Sequence, residues 1–475
     1  MISRSRSLLI VLLVWAAIYL PALGSLAIKG EEGRRILPAI RMLETGDYIV
    51  PRVGSATYFR KPPLVNWLVA VSFKVFGVRN EWAARLPSAL SVLAVAIAFV
   101  TVARASLGPR GSTIAALIWL TNIGMIEKGR LIEIEGLYVS LSGLALIFWL
   151  SFWSQKKSPL LIWLPASIFL GLALLAKGPL HLVFFYGIVF AVLWQTKNWR
   201  LLVHPAHFAA LAIMLAIFAA WAIPFLQSTT PQVALYKWSA QFSGRLSATG
   251  FNFSSWILNL PRALVYFLPW VILLPFVRFA KFQDELGRRL ARALTWGIVG
   301  PFLAVNLAPG ALPRYSMPAL APASWLLAMS YAENALQWPQ RMQLRSERAW
   351  AKVVTTFIGL GLVIGGVGYP LSALVLRNKQ QVKKAAAELN ALMPVRETLY
   401  VVDPDYQPIL FYIKAPLNYA TEMTKLPPNT HYFLVKTESE YEATTTQQWA
   451  PKRTHQLLRI LDYRKRGMVL FEVRP

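Results

Sequence analysis

Long apolar stretches separated by short basic loops form the dominant pattern of this chain. About eleven of them approach the roughly 20 residues that a helix needs to cross the hydrocarbon core of a bilayer. They lie near residues 8–28, 83–104, 112–126, 134–153, 159–176, 179–194, 205–226, 258–277, 291–310, 315–332 and 351–375. The pattern predicts an all-α polytopic membrane bundle of about 11 transmembrane helices.

The pattern changes after residue 376 to that of a small water-exposed domain. A helical stretch, Val382–Leu392, precedes four short runs typical of β-strands, at Leu399–Val402, Tyr432–Val435, Leu457–Leu461 and Met468–Val473. We therefore predict a transmembrane domain over residues 1–376 and a small C-terminal α/β domain over residues 377–475. Within the loop 29–82, the apolar Pro63–Phe76 segment is too short to span, so we expect an interfacial or re-entrant helix there.

The basic loops predict the orientation of the bundle. With the amino terminus in the cytoplasm, the alternate loops rich in arginine and lysine all fall on the cytoplasmic side, as the positive-inside rule requires. These loops contain Arg104 and Arg110, Lys156 and Lys157, Lys197 and Arg200, residues 278–292, and Arg341, Arg345 and Arg348. The C-terminal domain then faces outward, together with loops 29–82, 127–133, 227–257 and 311–314, in which candidate chemistry is expected. The first apolar stretch lacks a small-residue cleavage signal, so we expect it to be retained as a helix.

Composition narrows the class of protein further. Of the 475 residues, 56% are hydrophobic and only 15% are charged, whereas a soluble domain has about 25% charged residues. A soluble globular enzyme is therefore excluded. The net charge of +27 is explained by topology and by anionic lipids, so membrane lipids are expected partners and nucleic acid is not. The chain has no cysteine, which excludes disulfides, thiolate metal sites and a cysteine nucleophile.

The first outer loop carries two candidate groups. Glu31 and Glu32 are adjacent acids that can act as a base or as ligands, and Arg34 follows them. Alternatively, these acids complement the dipole of a helix that begins just after them. Further along, Tyr58 and Lys61 precede a double proline that fixes the backbone before an apolar helix. Lys61 either reaches a lipid phosphate or belongs to a basic rim at the headgroup boundary.

Other candidates lie at the outer ends of later apolar runs. Glu135 is near lipid depth, where an unpaired charge is expensive, so it needs a partner or a function. An ion pair with Arg130 inside the bundle is one alternative. Lys177 begins a tight turn between two apolar runs, Arg314 and Tyr315 stand together at the start of another, and Arg245 lies in the loop 227–257.

These residue types suit one class of chemistry. The sequence has no glycine-rich phosphate loop, zinc-type histidine spacing or serine elbow, so nucleotide hydrolysis and acyl transfer by those routes have no support. Acids and cations at a lipid interface are what glycosyl transfer from a lipid phosphate requires. A carboxylate receives the proton of the acceptor, and cations stabilise the departing phosphate. No cofactor is expected.

Five ordered motifs carry a resemblance to a known family. They are Glu31–Leu43 with Gly46–Pro51, Tyr58–Leu64, Ala83–Ser88, Lys177–Pro179 and Pro313–Ala319. In type and order they resemble the C-type glycosyltransferases of the protein O-mannosyltransferase and lipid A aminoarabinose transferase group, across roughly residues 8–375. The resemblance implies a multispan bundle with outer-face helices, and an external domain in the aminoarabinose branch.

The resemblance also implies roles for individual residues. Glu31 takes the position of the catalytic acid of the family, Glu32 that of its second acid, and Glu135 that of its later acid. The resemblance implies substrate binding for the remaining candidates of the matching motifs, namely Arg34, Tyr58, Lys61, Arg130, Lys177, Arg314 and Tyr315. Arg245 is a further candidate anion binder by its residue type and its place in the loop 227–257. Two departures stand out: Glu31 replaces the usual aspartate, and Arg60 replaces a glutamate of the proline turn. Because Arg60 removes an acidic ligand, we predict no metal site of that kind.

The resemblance therefore implies an inverting glycosyltransferase in a bacterial inner membrane, with its C-terminal domain in the periplasm. The expected donor is a polyprenyl-phosphate-linked sugar, and the expected acceptor is a lipid, a glycan or a protein. A non-catalytic protein that binds or transports lipid-linked sugars is one alternative, although paired symmetric halves, which favour a transporter, are not seen in the sequence. A pseudoenzyme subunit is the other.

Overall fold

The computed structural model describes residues 2–246, 251–338, 347–394, 396–437, 454–461 and 467–474. The chain forms two compact units. The first comprises Met1–Pro21, Arg60–Leu64 and Leu86–Pro370, and the second comprises Ala22–Phe59, Val65–Arg85 and Leu371–Pro475. The domain boundary predicted near residue 376 falls inside a helix, Tyr369–Lys379.

Helices account for most of the described chain. In chain order they are α1 (Arg4–Tyr19), α2 (Gly33–Thr45), α3 (Leu64–Phe76), α4 (Glu81–Thr101), α5 (Arg104–Thr121), α6 (Ile123–Lys128), α7 (Ile134–Ser154), α8 (Pro159–Ala176), α9 (Leu180–Thr196), α10 (Pro205–Gln227), α11 (Pro231–Leu246), α12 (Phe253–Ile257), α13 (Asn259–Val265), α14 (Glu285–Leu307), α15 (Leu320–Ala332), α16 (Glu347–Leu362), α17 (Tyr369–Lys379) and α18 (Val382–Leu392). The predicted polytopic α-helical membrane fold is confirmed.

The predicted number of spans is not confirmed. Within the described residues, six helices are long and apolar enough to cross a membrane: α4, α7, α8, α10, α14 and the continuous stretch Ala349–Lys379. A seventh is possible if Phe253–Val265 and Trp270–Phe276, which meet at 90°, form one broken span. The difference arises because other apolar runs form shorter helices, such as the 16 residues of α1 and the 17 residues of α9.

In the first unit, α8 packs against α7 and α10, α9 against α14, and α5 against α15. Small residues allow the closest approach, since a Cβ atom added to Gly297 of α14 would lie 2.7 Å from Cα of Ile188 on α9. Buried tryptophans satisfy their indole N–H groups on backbone carbonyls, as Trp15 does on Ala89 at 2.8 Å and Trp119 on Val92 at 2.9 Å. Such bonds matter in lipid, where no water can replace them.

The second unit combines the first loop with the C-terminal segment. A 3-10 turn, Gly30–Glu32, leads into α2, and a short hairpin of β1 (Arg52–Val53) and β2 (Ala56–Thr57) follows. The apolar Pro63–Phe76 segment forms the 13-residue α3, which is shorter than a span. Gly46 ends α2 with φ of 74°, a left-handed conformation that glycine adopts without strain.

The C-terminal segment contains a five-stranded mixed sheet, so the predicted small α/β domain is confirmed. Its strands are β3 (Leu399–Val402), β4 (Leu417–Ala420), β5 (Tyr432–Lys436), β6 (Thr454–Leu461) and β7 (Gly467–Val473). Their order is β4-β3-β5-β7-β6, with β3 parallel to β4 and β5, and β7 antiparallel to β5 and β6. The stacked rings of Phe433 and Phe471, 5.1 Å apart, lie in its core. Sequence reasoning missed the edge strand β4, whose apolar pattern is interrupted by Asn418.

Candidate functional site

A buried carboxylate paired with two cations is the main polar feature of the first unit. Glu135 lies in the first turn of α7 and is 7% exposed. Its Oε1 atom is 3.2 Å from Nζ of Lys177 and 3.0 Å from Nε of Arg314. Lys177 caps the C-terminus of α8, and Arg314 belongs to the 3-10 helix Pro313–Ala319. Three helix ends that are far apart in sequence therefore supply one charged cluster.

Aromatic rings surround the lysine of this cluster. Nζ of Lys177 lies 4.9 Å from the ring centre of Tyr138 and 4.8 Å from that of Tyr315. His181 packs edge-on against Tyr138, and its ring nitrogens contact the carbonyls of Gly178 and Leu170 at 3.0 and 3.2 Å. His181 is thus held as a packing residue, whereas Lys177 is oriented by the rings and by Glu135.

A second ion-pair group lies in the segment before α7. Nζ of Lys128 is 2.8 Å from Glu127 and 2.9 Å from Glu133. Burial by itself lowers the pKa of Lys128, but the two carboxylates outweigh it, so this pKa lies above its usual range. Burial raises the pKa of Glu133, and Lys128 counteracts only part of that rise. Because the side chain of Glu127 is half exposed, this group presents an acid to its surroundings.

Arg130 is fully buried and is held by backbone oxygens. Its guanidinium donates to the carbonyls of Ile18, Pro21 and Gly365 and lies 3.8 Å from the ring centre of Tyr369. These contacts tie the end of α1 to the region of the helix turn Val363–Gly368. They favour a structural role for Arg130, and its predicted role as a substrate ligand stays a prediction.

In the second unit, both carboxylate oxygens of Glu31 contact one guanidinium nitrogen of Arg34. The Nη1 atom of Arg34 lies 2.7 and 2.9 Å from the two carboxylate oxygens of Glu31. The guanidinium also lies 3.7 Å from the ring centre of Tyr406. The side chain of Glu31 remains 32% exposed, so its carboxylate is both oriented and accessible.

Glu32 has different surroundings from its neighbour. It is 1% exposed and forms a parallel ion pair with Arg85, with both N···O distances at 2.8 Å. It also accepts a hydrogen bond from the backbone N–H of Lys29 at 3.2 Å. The expected helix does follow the acidic pair, since α2 begins at Gly33. Glu32 therefore stabilises the loop, and a catalytic role for it stays a prediction.

Three further predicted residues lie in the loops. Tyr58 accepts a hydrogen bond from Nη1 of Arg35 at 3.2 Å. Lys61 is half-buried in the turn before α3, whereas its neighbour Arg60 is exposed. The side chain of Arg245 lies outside the described part of the structure.

Sequence reasoning missed several residues that complete these clusters. Arg85 and Tyr406 hold the acids of the first loop, and Tyr138 belongs to the Glu135 cluster of the first unit. A buried arginine in an apolar helix does signal a required acid, so Arg85 was detectable in principle. Tyr406 was not, because it lies more than 370 positions from Arg34 in the chain. Across the described residues, no group of three or more His, Asp or Glu side chains is placed to hold a metal ion.

Comparison with known proteins supports the resemblance seen in the sequence. A family model described as dolichyl-phosphate-mannose-protein mannosyltransferase matches residues 60–223. An undecaprenyl phosphate-alpha-4-amino-4-deoxy-L-arabinose arabinosyl transferase 2 of Pseudomonas fluorescens is 25% identical over 76% of this chain and 65% of its own length. The corresponding transferase of Pseudomonas savastanoi is 27% identical over 70% of this chain and 61% of its own. The chain thus spans less than two thirds of the length of these relatives.

Solved structures show the same fold. The crystal structure of ArnT from Cupriavidus metallidurans bound to undecaprenyl phosphate superimposes with a TM-score of 0.72 at 17% identity, covering 98% of this chain and 97% of that one. The apo form gives a TM-score of 0.67 at 18% identity, with the same coverage of both chains. The chain is a multi-pass membrane protein with the C-type glycosyltransferase fold, and the predicted resemblance to the protein O-mannosyltransferase and aminoarabinose transferase group is confirmed.

Proposed function

We propose that this protein is an inverting glycosyltransferase that moves a sugar from a polyprenyl-phosphate carrier to a lipid, glycan or protein acceptor at the outer face of the membrane. The observation that carries the proposal is the Glu135 carboxylate, which holds the cations of Lys177 and Arg314 at 3.2 and 3.0 Å beside two tyrosine rings. A lysine and an arginine fixed in this way are suited to a lipid phosphate. The likeness in fold to ArnT, which was crystallised bound to undecaprenyl phosphate, supports the same assignment.

The reaction needs a base and a stabilised leaving group. In our proposal the acceptor oxygen attacks the anomeric carbon, and the bond from that carbon to the phosphate oxygen breaks. The electron pair leaves with the phosphate, whose growing charge Lys177, Arg314 and Lys61 stabilise. The acceptor proton passes to Glu31, which Arg34 orients. One displacement at the anomeric carbon inverts its configuration.

The names of the relatives suggest the donor sugar. Those proteins act on undecaprenyl phosphate-alpha-4-amino-4-deoxy-L-arabinose, and we propose the same donor here. Lipid A is then the first acceptor to test. We also propose that the amino terminus is cytoplasmic and that the C-terminal domain is periplasmic, because this orientation places the basic loops inside.

The test is transfer of radiolabelled aminoarabinose from synthetic undecaprenyl phosphate donor to extracted lipid A by the purified full chain in detergent. Glu31→Gln should lower the rate at least a hundredfold, since general base catalysis contributes about 10²–10⁴-fold. The matched control is Glu44→Gln, because Glu44 forms an ion pair with Arg41 at 2.9 Å with the same three-residue spacing on α2. The control variant should keep its activity.

The outcomes separate the alternatives. Transfer that survives Glu31→Gln would remove Glu31 as the base. Saturable donor binding without transfer to any acceptor would instead support a lipid-linked-sugar binding protein. Transfer to glycan or protein hydroxyls, but not to lipid A, would keep the enzyme class and change the acceptor.

A further inference from the structure

The backbone that leads to Glu31 is held by residues of the C-terminal segment. The N–H of Ala27 donates to the side-chain oxygen of Gln380 at 2.7 Å, and the N–H of Ile28 donates to the hydroxyl of Tyr412 at 2.7 Å. The Tyr412 hydroxyl in turn donates to Glu81 at 2.9 Å. Two consecutive amides just before the acidic pair are therefore bonded to side chains more than 350 positions away.

A turn of the same segment contacts the acidic pair directly. Tyr406 follows β3 in a turn where Asp403 and Asp405 have φ angles of 38° and 56°, a left-handed conformation that aspartate tolerates better than most residues. Its ring lies 3.7 Å from the guanidinium of Arg34. The guanidinium is thus covered on one face by Tyr406 while its Nη1 atom holds both oxygens of Glu31.

The backbone contact between this turn and the loop is equally close. A Cβ atom added to Gly33 would lie 2.6 Å from the carbonyl oxygen of Tyr406, which is closer than real Cβ atoms approach a backbone oxygen. Gly33 stands between Glu32 and Arg34, so the turn is fitted against the loop at the acidic pair itself.

We propose that Tyr406 is a positioning residue that fixes Arg34 and, through it, the carboxylate of Glu31. The ion pair alone is weak, because Glu31 is 32% exposed and partly exposed pairs are screened and lose side-chain entropy. A tyrosine ring over the guanidinium restricts Arg34 and adds a cation–π contact. The C-terminal domain therefore contributes to catalysis by helping to position Glu31. This inference rests on the proposed function of Glu31.

The test compares three variants of the full chain in detergent. Tyr406→Leu removes the ring, Tyr406→Phe keeps it, and Tyr419→Leu is the matched control. Tyr419 covers Arg41 at 5.1 Å, and Arg41 pairs with Glu44 as Arg34 pairs with Glu31. Tyr406→Leu should lower kcat roughly threefold to thirtyfold with an unchanged KM for the donor. Tyr406→Phe should restore most of kcat, and Tyr419→Leu should leave it unchanged.

Hydrogen exchange supplies a readout that does not depend on transfer. In Tyr406→Leu, exchange of the amides over residues 29–34 should rise relative to both the wild type and Tyr419→Leu. Equal kcat values for the two leucine variants, or a kcat that Tyr406→Phe does not restore, would overturn the proposal. If the wild type transfers no sugar, the proposed function fails, and the positioning role is then decided by whether exchange over residues 29–34 changes.

Discussion

The buried pair of Glu32 and Arg85 gives the sharpest prediction about stability. Arg85 is fully buried, and five N–H···O contacts match its five donors. Two reach Glu32, and the other three reach the carbonyls of Leu23, Leu26 and Ala27 at 2.9, 2.9 and 3.3 Å. In Glu32→Gln, the guanidinium charge stays buried without its counter-charge, and an amide NH2 replaces one accepting oxygen.

The size of the effect follows from burial. Removing one partner of a buried ion pair destabilises a protein by about 3–5 kcal/mol. Unfolding entropy near 2.1 cal/mol/K per residue gives roughly 1 kcal/mol/K for a chain of 475 residues. Glu32→Gln should therefore lower the thermal midpoint by about 3–5 °C. Glu44→Gln breaks a pair whose side chains are 25% and 40% exposed, so its shift should stay under about 1 °C.

The assay is thermal unfolding of both variants in one detergent, followed by the intrinsic fluorescence of the buried tryptophans. Transfer activity is measured on the same samples below the unfolding transition. We expect Glu32→Gln to have a lower thermal midpoint, and its transfer activity to fall no more than its folded fraction does. Equal midpoints for the two variants would refute the stabilising role of the pair, and a large loss of activity at full folding would restore Glu32 as a catalytic candidate.

Two further predictions concern binding and pH. Lys177→Met removes one of the two cations paired with Glu135. The affinity for undecaprenyl phosphate, measured in nanodiscs, should fall about tenfold to a hundredfold, because this is what one hydrogen bond to a charged group contributes. Unchanged affinity would exclude Lys177 from the phosphate site. Burial, and then the nearby Glu81 carboxylate, raise the pKa of Tyr412 above the usual 10.0. The stability that Tyr412 contributes is thus complete below pH 10 and is lost as pH rises towards its folded pKa. The difference in free energy of unfolding between wild type and Tyr412→Phe should narrow by about 1.4 kcal/mol per pH unit above 10. Thermal unfolding at pH 9 and 11 measures this difference. A difference that stays constant would contradict the prediction.

Sequence reasoning reached the fold class and the residue types of the clusters but few of the pairings. The helix after the acidic pair, the apolar helix after the double proline and four of the five C-terminal strands were predicted. The partner suggested for Glu135 was Arg130, five residues away, whereas the structure places Lys177 and Arg314 on it. Residues that are close in sequence are the first candidates for an ion pair. The actual partners of Glu135, in the first turn of α7, depend on which helix ends pack beside that turn.

Membrane insertion and the residue types of the candidate site were determined by the sequence alone. Both depend on local properties, namely the length and hydropathy of each run and the presence of acids and cations at its ends. The tertiary structure decided how the two acids of the first loop differ. Glu31 is partly exposed beside Arg34 and Tyr406, while Glu32 is buried on Arg85. Adjacent carboxylates have nearly the same sequence context, so only packing against distant segments separates an accessible acid from a structural one.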